Sequence, residues 1–146
     1  MINPEISAIY ENYLEETGRA DAAEARRFEW LSRMFTGRPS GAEVLLQAFD
    51  TNLKDGLDRL YGQTSGSAEI RELAEWMLEQ VGNNQSRPQV KYSLMAALRH
   101  IIPLTAYLNV EDAVSLSKSI KAAIPSRERF PVHNELIDKL KKQSAK

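Results

Sequence analysis

Cysteine is absent from this chain. Its absence excludes a disulfide scaffold, a zinc site built on thiolates and a cysteine nucleophile, and it fits a reducing compartment, so the expected location is the cytoplasm. Histidine is nearly absent too. His100 and His133 are the only two, and neither sits in a Glu-x-x-His or His-x-x-x-His spacing that would put two metal ligands on one helical face, so no metal or other cofactor is expected. No uninterrupted apolar run approaches 18 residues, and Met1 to Tyr10 has no basic segment followed by an apolar core, so no membrane span and no secretory leader are expected. Sustained apolar–polar alternation rich in Val, Ile and Thr is missing as well, which argues against a sheet. There is no Gly-x-Ser-x-Gly elbow. The one flexible glycine-bearing stretch, Gly62 to Ser67, lacks the lysine and the preceding strand of a phosphate loop.

What is present is the composition of an ordinary globular protein. The 146 residues are 42% apolar and 27% charged, with 7 glycines and 6 prolines, which suits one domain folding without covalent staples. The expectation is a single all-helical domain over residues 1–146, its last four residues (143–146) a frayed tail. Charge is divided unevenly. Met1 to Asn84 carries 15 acidic and 8 basic residues, net −7, whereas Gln85 to Lys146 carries 5 acidic and 11 basic, net +6. Such a division either attracts the halves to each other or presents two surfaces to different partners.

The helical signal recurs along the chain. Asn3 before Pro4 reads as a cap and a first-turn proline, followed by Ile6, Ile9, Tyr10, Tyr13 and Leu14 on one face, with Gly18 as the stop. Asp21 and Glu24 have capping-box spacing before a stripe through Ala25, Phe28, Leu31, Met34 and Phe35 that ends at Gly37. Ser40 and Glu43 repeat the box before the longest periodic segment: Leu45, Leu46, Phe49, Leu53, Leu57, Leu60 and Tyr61. Gly56 lies inside it, where close approach of a neighbouring helix is the favoured explanation. Ile70, Leu73, Ala74, Met77 and Val81 mark a fourth helix up to Gly82. Ser86 with Gln89 offers a cap for a fifth through Val90, Leu94, Ala97, Leu98 and Ile101. Pro103 predicts a kink or boundary at Ile102, with Leu104, Tyr107 and Leu108 in a separate turn. Asn109 predicts a cap for a sixth helix, with Val110, Val114, Ser117, Ile120 and Ile124 on its inner side and Pro125 at its end. Pro131 opens a seventh with Leu136, Ile137 and Leu140 inward. The fold class expected is all-α, a six- to seven-helix orthogonal or up-down bundle.

A short α-solenoid of three helical hairpins is the alternative. Glu29 and Trp30 precede Gly37, Arg38 and Pro39, while Glu75 and Trp76 precede Gly82, Arg87 and Pro88. The offset is 46 residues at the tryptophans and 49 at the prolines, and Pro131 follows Pro88 by 43, near the repeat length of stacked hairpins.

Catalysis finds little support. His100 reads as a hydrogen-bonded core or boundary residue and His133, in a first helical turn, as a surface one. The carboxylates Asp50, Asp55 and Asp58, with Glu72, Glu75 and Glu79, read as a solvated face, because Asp50–Lys54 and Asp55–Arg59 are i,i+4 pairs. An enzyme would need a pocket around His100 or these carboxylates. The residues carry no motif set from which an activity could be borrowed. Elimination therefore leads to a small intracellular protein–protein interaction or regulatory module without catalysis. The candidate contact residues are Trp30 and Trp76, whose side chains widen their stripes, and the basic Arg127, Arg129, Lys139, Lys141 and Lys142. The expected partner is another protein, with a second copy of the chain among the choices. The alternative is nucleic acid held by the basic carboxy-terminal half, where Lys118, Lys121 and Lys146 add charge. The connection Pro125 to Phe130 is too long for the turn of a helix-turn-helix.

Overall fold

The computed structural model describes the backbone of residues 2–27 and 41–146, and the side chains of residues 2–19, 41 and 43–146. Among the described residues there is no strand, and the fold class is all-α. Six α-helices are described: α1 (Pro4–Arg27), α2 (Gly41–Leu60), α3 (Ser67–Asn83), α4 (Pro88–Ala97), α5 (Val110–Ala123) and α6 (Pro131–Ser144). A ten-residue 3₁₀ segment, Leu98–Tyr107, continues directly from α4, and a single 3₁₀ turn, Ser126–Glu128, precedes α6. No helix among the described residues is long and apolar enough to cross a membrane. By internal contacts the chain divides into two compact units. One is Asn3–Gly56, and the other is Leu57–Lys146 with Met1–Ile2.

In the first unit, α1 starts where the sequence predicts. Pro4 fills the first helical position and the Asn3 side chain accepts the Glu5 amide at 2.9 Å, satisfying one of the donors that a helix start leaves without a partner. It does not stop at Gly18. The helix runs through to Arg27, so the break and fresh start expected at Gly18 and Asp21 are one continuous helix. A lone interior glycine costs about 1 kcal/mol against alanine, too little to end a helix with no proline behind it. Ile6, Tyr10, Tyr13 and Thr17 form the buried stripe, and the Thr17 hydroxyl is satisfied by the carbonyls of Tyr13 and Leu14 at 2.8 and 3.0 Å. Phe49 of α2 meets this stripe. Its ring stacks on Tyr13 at 4.3 Å and stands edge-on to Tyr10 at 5.1 Å, both geometries that aromatic quadrupoles favour. One turn of helix beyond Leu53, side chains of α1 come close to the α2 backbone. A Cβ on Gly56 would sit 3.1 Å from Ile6 Cδ1 and 3.3 Å from Ile9 Cδ1, so the glycine marks close packing, as expected. Ser40 and the stripe through Phe28, Leu31, Met34 and Phe35 lie outside the described residues.

The second unit is organised around α3, which touches α4, the 3₁₀ segment and α5; α6 packs on α5 and the 3₁₀ segment. The inner face of α3 holds Ile70, Leu73, Ala74, Met77 and Val81 as the spacing predicts, with Leu78 beside them. α4 begins at Pro88 with Arg87 as its cap residue and no side-chain cap, so the expected Ser86–Gln89 cap is not formed. The change of helix type also comes earlier than Pro103 suggests. α-Helical geometry ends at Ala97, and the backbone passes through Ile102 and Pro103 as 3₁₀ without a break. Buried Leu98, Ile101 and Leu104 recur every three residues, the number in a 3₁₀ turn, so they align on one face only after the helix tightens. The tighter pattern also removes the α-type bond that Pro103 would have denied to Arg99.

Candidate functional site

The surface that stands out among the described residues lies on α5. Asn109 caps the helix as expected, its side chain accepting the Asp112 amide at 2.8 Å. The inner face differs from the expected one. Asp112, Ala113, Leu116 and Ile120 are buried, with Ile124 just beyond the helix end, whereas Val110 and Val114 are 44% and 39% exposed. At 100° per residue, the buried stripe is rotated by about 70° from the one predicted.

Asp112 sets that rotation. Its carboxylate accepts the Ser67 hydroxyl at 2.5 Å and lies 3.4 Å from the Arg71 guanidinium. The same hydroxyl accepts the Asn109 amide at 2.8 Å. The first turns of α3 and α5 are thus locked by a hydroxyl used once as donor and once as acceptor, and turning α5 toward Val114 would break the lock. With both carboxylate oxygens engaged, this cluster is a structural joint. It was not picked out from the sequence, although an acidic residue at the third helical position after Asn109 is the signal that could have shown it.

The rotation leaves an apolar line outside. Tyr107, at the end of the 3₁₀ segment, is 41% exposed. By helical spacing Val110, Val114, Lys118 and Lys121 then follow one another along one side of α5, and all four are exposed.

The predicted contact residues are distributed over several elements. Trp30 lies outside the described residues. Trp76 is half-buried on α3 and makes interactions of its own. Arg127 is exposed in the 3₁₀ turn, whereas Arg129 folds back on α5: its guanidinium donates to the carbonyls of Ile124 at 2.9 Å and Lys121 at 3.5 Å. It serves as the cap of that helix, where a cation also complements the dipole. Lys139, Lys141 and Lys142 are exposed on α6, but Glu135 and Asp138 stand four residues before Lys139 and Lys142, so that face is of mixed sign. Gln143 ties α6 to the preceding segment through the carbonyls of Ala106 and Leu108 at 3.3 and 2.8 Å.

The residues weighed for catalysis do not converge. Asp55, Asp58, Glu72 and Glu79 are exposed and Asp50 is half-buried; Glu75, also half-buried, accepts the Ser119 hydroxyl at 3.3 Å. His100 is half-buried in the 3₁₀ segment. No group of three or more His, Asp or Glu among the described residues is placed to hold a metal ion.

His133 departs furthest from what its sequence position suggests. Expected at the surface, it is fully buried. Its Nδ1 accepts the Phe130 amide at 3.0 Å, which leaves Nε2 to donate to the Met95 carbonyl of α4 at 2.7 Å. The ring stacks on Phe130 at 5.0 Å, and Phe130 in turn meets Tyr92 at 6.1 Å. Burial holds the imidazole below its ordinary pKa and the charge of Arg129 pushes the same way, while the Met95 carbonyl opposes both. Burial likewise raises the Tyr10 phenol above its usual value.

Comparison with known proteins finds no family model, curated protein or solved structure that matches the chain.

Proposed function

We propose that the chain is a small interaction or regulatory module without catalysis, and that its contact surface is the outer side of α5. The observation that carries this reading is the run of Tyr107, Val110 and Val114 left exposed and continued by Lys118 and Lys121. Two valines on adjacent turns offer an apolar seat, and two lysines beyond them offer charge of one sign. The complementary partner is an amphipathic segment of another protein, apolar at one end and acidic at the other. Turning valines outward lowers no core energy, so their side chains are free to contribute to binding.

The test pairs wild-type protein with Val110→Asp/Val114→Asp and Lys118→Glu/Lys121→Glu variants in capture from native lysate at two salt concentrations, with and without nuclease. The expected result is a nuclease-resistant protein partner lost from the valine variant at both salts and from the lysine variant mainly through slower association, with little change in Tm for either. Recovery that is nuclease-sensitive, falls steeply with salt and ignores the valine changes would overturn the reading in favour of nucleic acid on the basic half. Capture of the chain's own copies would make the partner a second molecule of this protein.

A further inference from the structure

We propose that His133 is an acid-sensitive latch that joins α6 to α4 while its ring is neutral and releases that seam when the ring takes up a proton. The geometry admits one protonation state. Nδ1 is an acceptor for the Phe130 amide and Nε2–H a donor to the Met95 carbonyl, so each ring nitrogen is used once and in opposite senses. A second proton must go onto Nδ1, where it would face the Phe130 N–H. The bond that closes the first turn of α6 would become a contact between two donors. The ring has no exposed surface from which to move gradually.

The surroundings reinforce that choice. His133 occupies the third position of α6, at the positive end of the helix dipole, which disfavours a cation. The charged and titratable groups on the elements around it are Lys91 and Tyr92 of α4, Arg99, His100 and Tyr107 of the 3₁₀ segment, Glu111, Asp112, Lys118 and Lys121 of α5, Arg127, Glu128 and Arg129 of the connection, and Glu135, Asp138, Lys139, Lys141 and Lys142 of α6; Asp112 is engaged by Ser67 and Arg71. Glu128 is engaged by Lys91 at 3.6 Å, and the charge that reaches His133 is that of Arg129, which repels an imidazolium. Both hydrogen bonds of the ring are with backbone, and neither is with a carboxylate that would welcome the cation. Release would part the Met95 and Phe130 ends of the seam and unstack Phe130, the ring that joins exposed Tyr92 to the interior. This inference does not depend on the α5 surface, and it can fail or hold independently of that reading.

The test uses the full chain between pH 8 and pH 5, with histidine ring titration by NMR, amide exchange relative to intrinsic rates, and denaturant unfolding. His133 should remain the neutral Nε2–H tautomer below the ordinary histidine range. The unfolding equilibrium constant should rise by up to about tenfold per pH unit below roughly pH 6.5, the signature of one proton bound on unfolding. The Phe130 amide should open before the core amides of α3. In His133→Gln the pH dependence should shrink toward onefold over this range, while His100→Gln should keep it. Titration of His133 near pH 6.5, an equal pH slope in His133→Gln and wild type, or opening of Phe130 only together with the α3 core would each overturn the latch. Should His133→Gln not fold, the ring titration and the Phe130 exchange in wild type and His100→Gln decide the matter alone.

Discussion

The two units of this chain close by different physics. Asn3–Gly56 is joined where Phe49 seats itself against Tyr10 and Tyr13 and where Gly56 lets α1 and α2 approach. In Leu57–Lys146 the relative helix placements are fixed by directional bonds: Ser67 and Asp112 between α3 and α5, His133 between α6 and α4, Arg129 at the end of α5 and Gln143 at the end of α6. Aromatic pairs bury much area and favour stacked or edge-on ring geometries. Buried hydrogen bonds add little net energy each, yet they penalise every arrangement that leaves one unmade. The first unit should therefore be sensitive to lost volume, and the second to lost partners and to protons.

The largest expected effect is on the first unit. Phe49→Ala removes the ring shared by both tyrosines and should cost about 3–5 kcal/mol in denaturant unfolding; a loss under about 1 kcal/mol would show that the aromatic clasp does not hold this unit. Next comes the lock of the second unit. Asp112→Ala leaves the Ser67 hydroxyl and Arg71 without their acceptor, and because Arg71 retains access to solvent the cost should be about 2–3 kcal/mol, whereas Asp112→Asn should recover part of it by keeping an acceptor for Ser67.

Acidification is the third. The folded-state pKa of His133 lies below its unfolded value, so the unfolded chain binds the extra proton first: stability is fully present above about pH 6.5 and falls as the pH drops below it, levelling off only beneath the folded pKa. The slope should reach at most about 1.4 kcal/mol per pH unit. A matching loss on alkalinisation instead would contradict the sign. The smallest effect returns to the first unit. A Cβ on Gly18 would meet nothing within 4 Å, so Gly18→Ala should stabilise α1 by about 0.5–1 kcal/mol, measurable as a small rise in Tm.

The same division explains what could be read from the sequence. The all-α class and the core faces of α3 and α4 followed from spacing alone, because Ile70, Leu73, Ala74, Met77 and Val81 repeat at helical intervals with strong punctuation around them. Spacing was a poorer guide on α5, where apolar residues occupy more than half the circumference and only a partner 45 residues away, Ser67 to Asp112, selects which side turns in. The exposed line on α5 was hidden for that reason. Gly18 misled because glycine signals a stop only when tertiary structure agrees. His133 was hidden because its two bonds are to backbone atoms, one of them 38 residues distant, and a backbone carbonyl leaves no trace in residue identity. The 3₁₀ segment was legible in principle: Leu98, Ile101 and Leu104 are spaced by three throughout.

The Ser67 hydroxyl has a consequence for the order of assembly. It joins the first turn of α3 to residues 42 and 45 positions later, so that turn cannot reach its final bonding until α4, the 3₁₀ segment and the start of α5 are in place. Helix formation is local and fast, but this closure must wait for a long loop to be ordered. The second unit is thus finished by joining its ends, and removal of the Ser67 hydroxyl should accelerate unfolding while leaving the folding rate nearly unchanged.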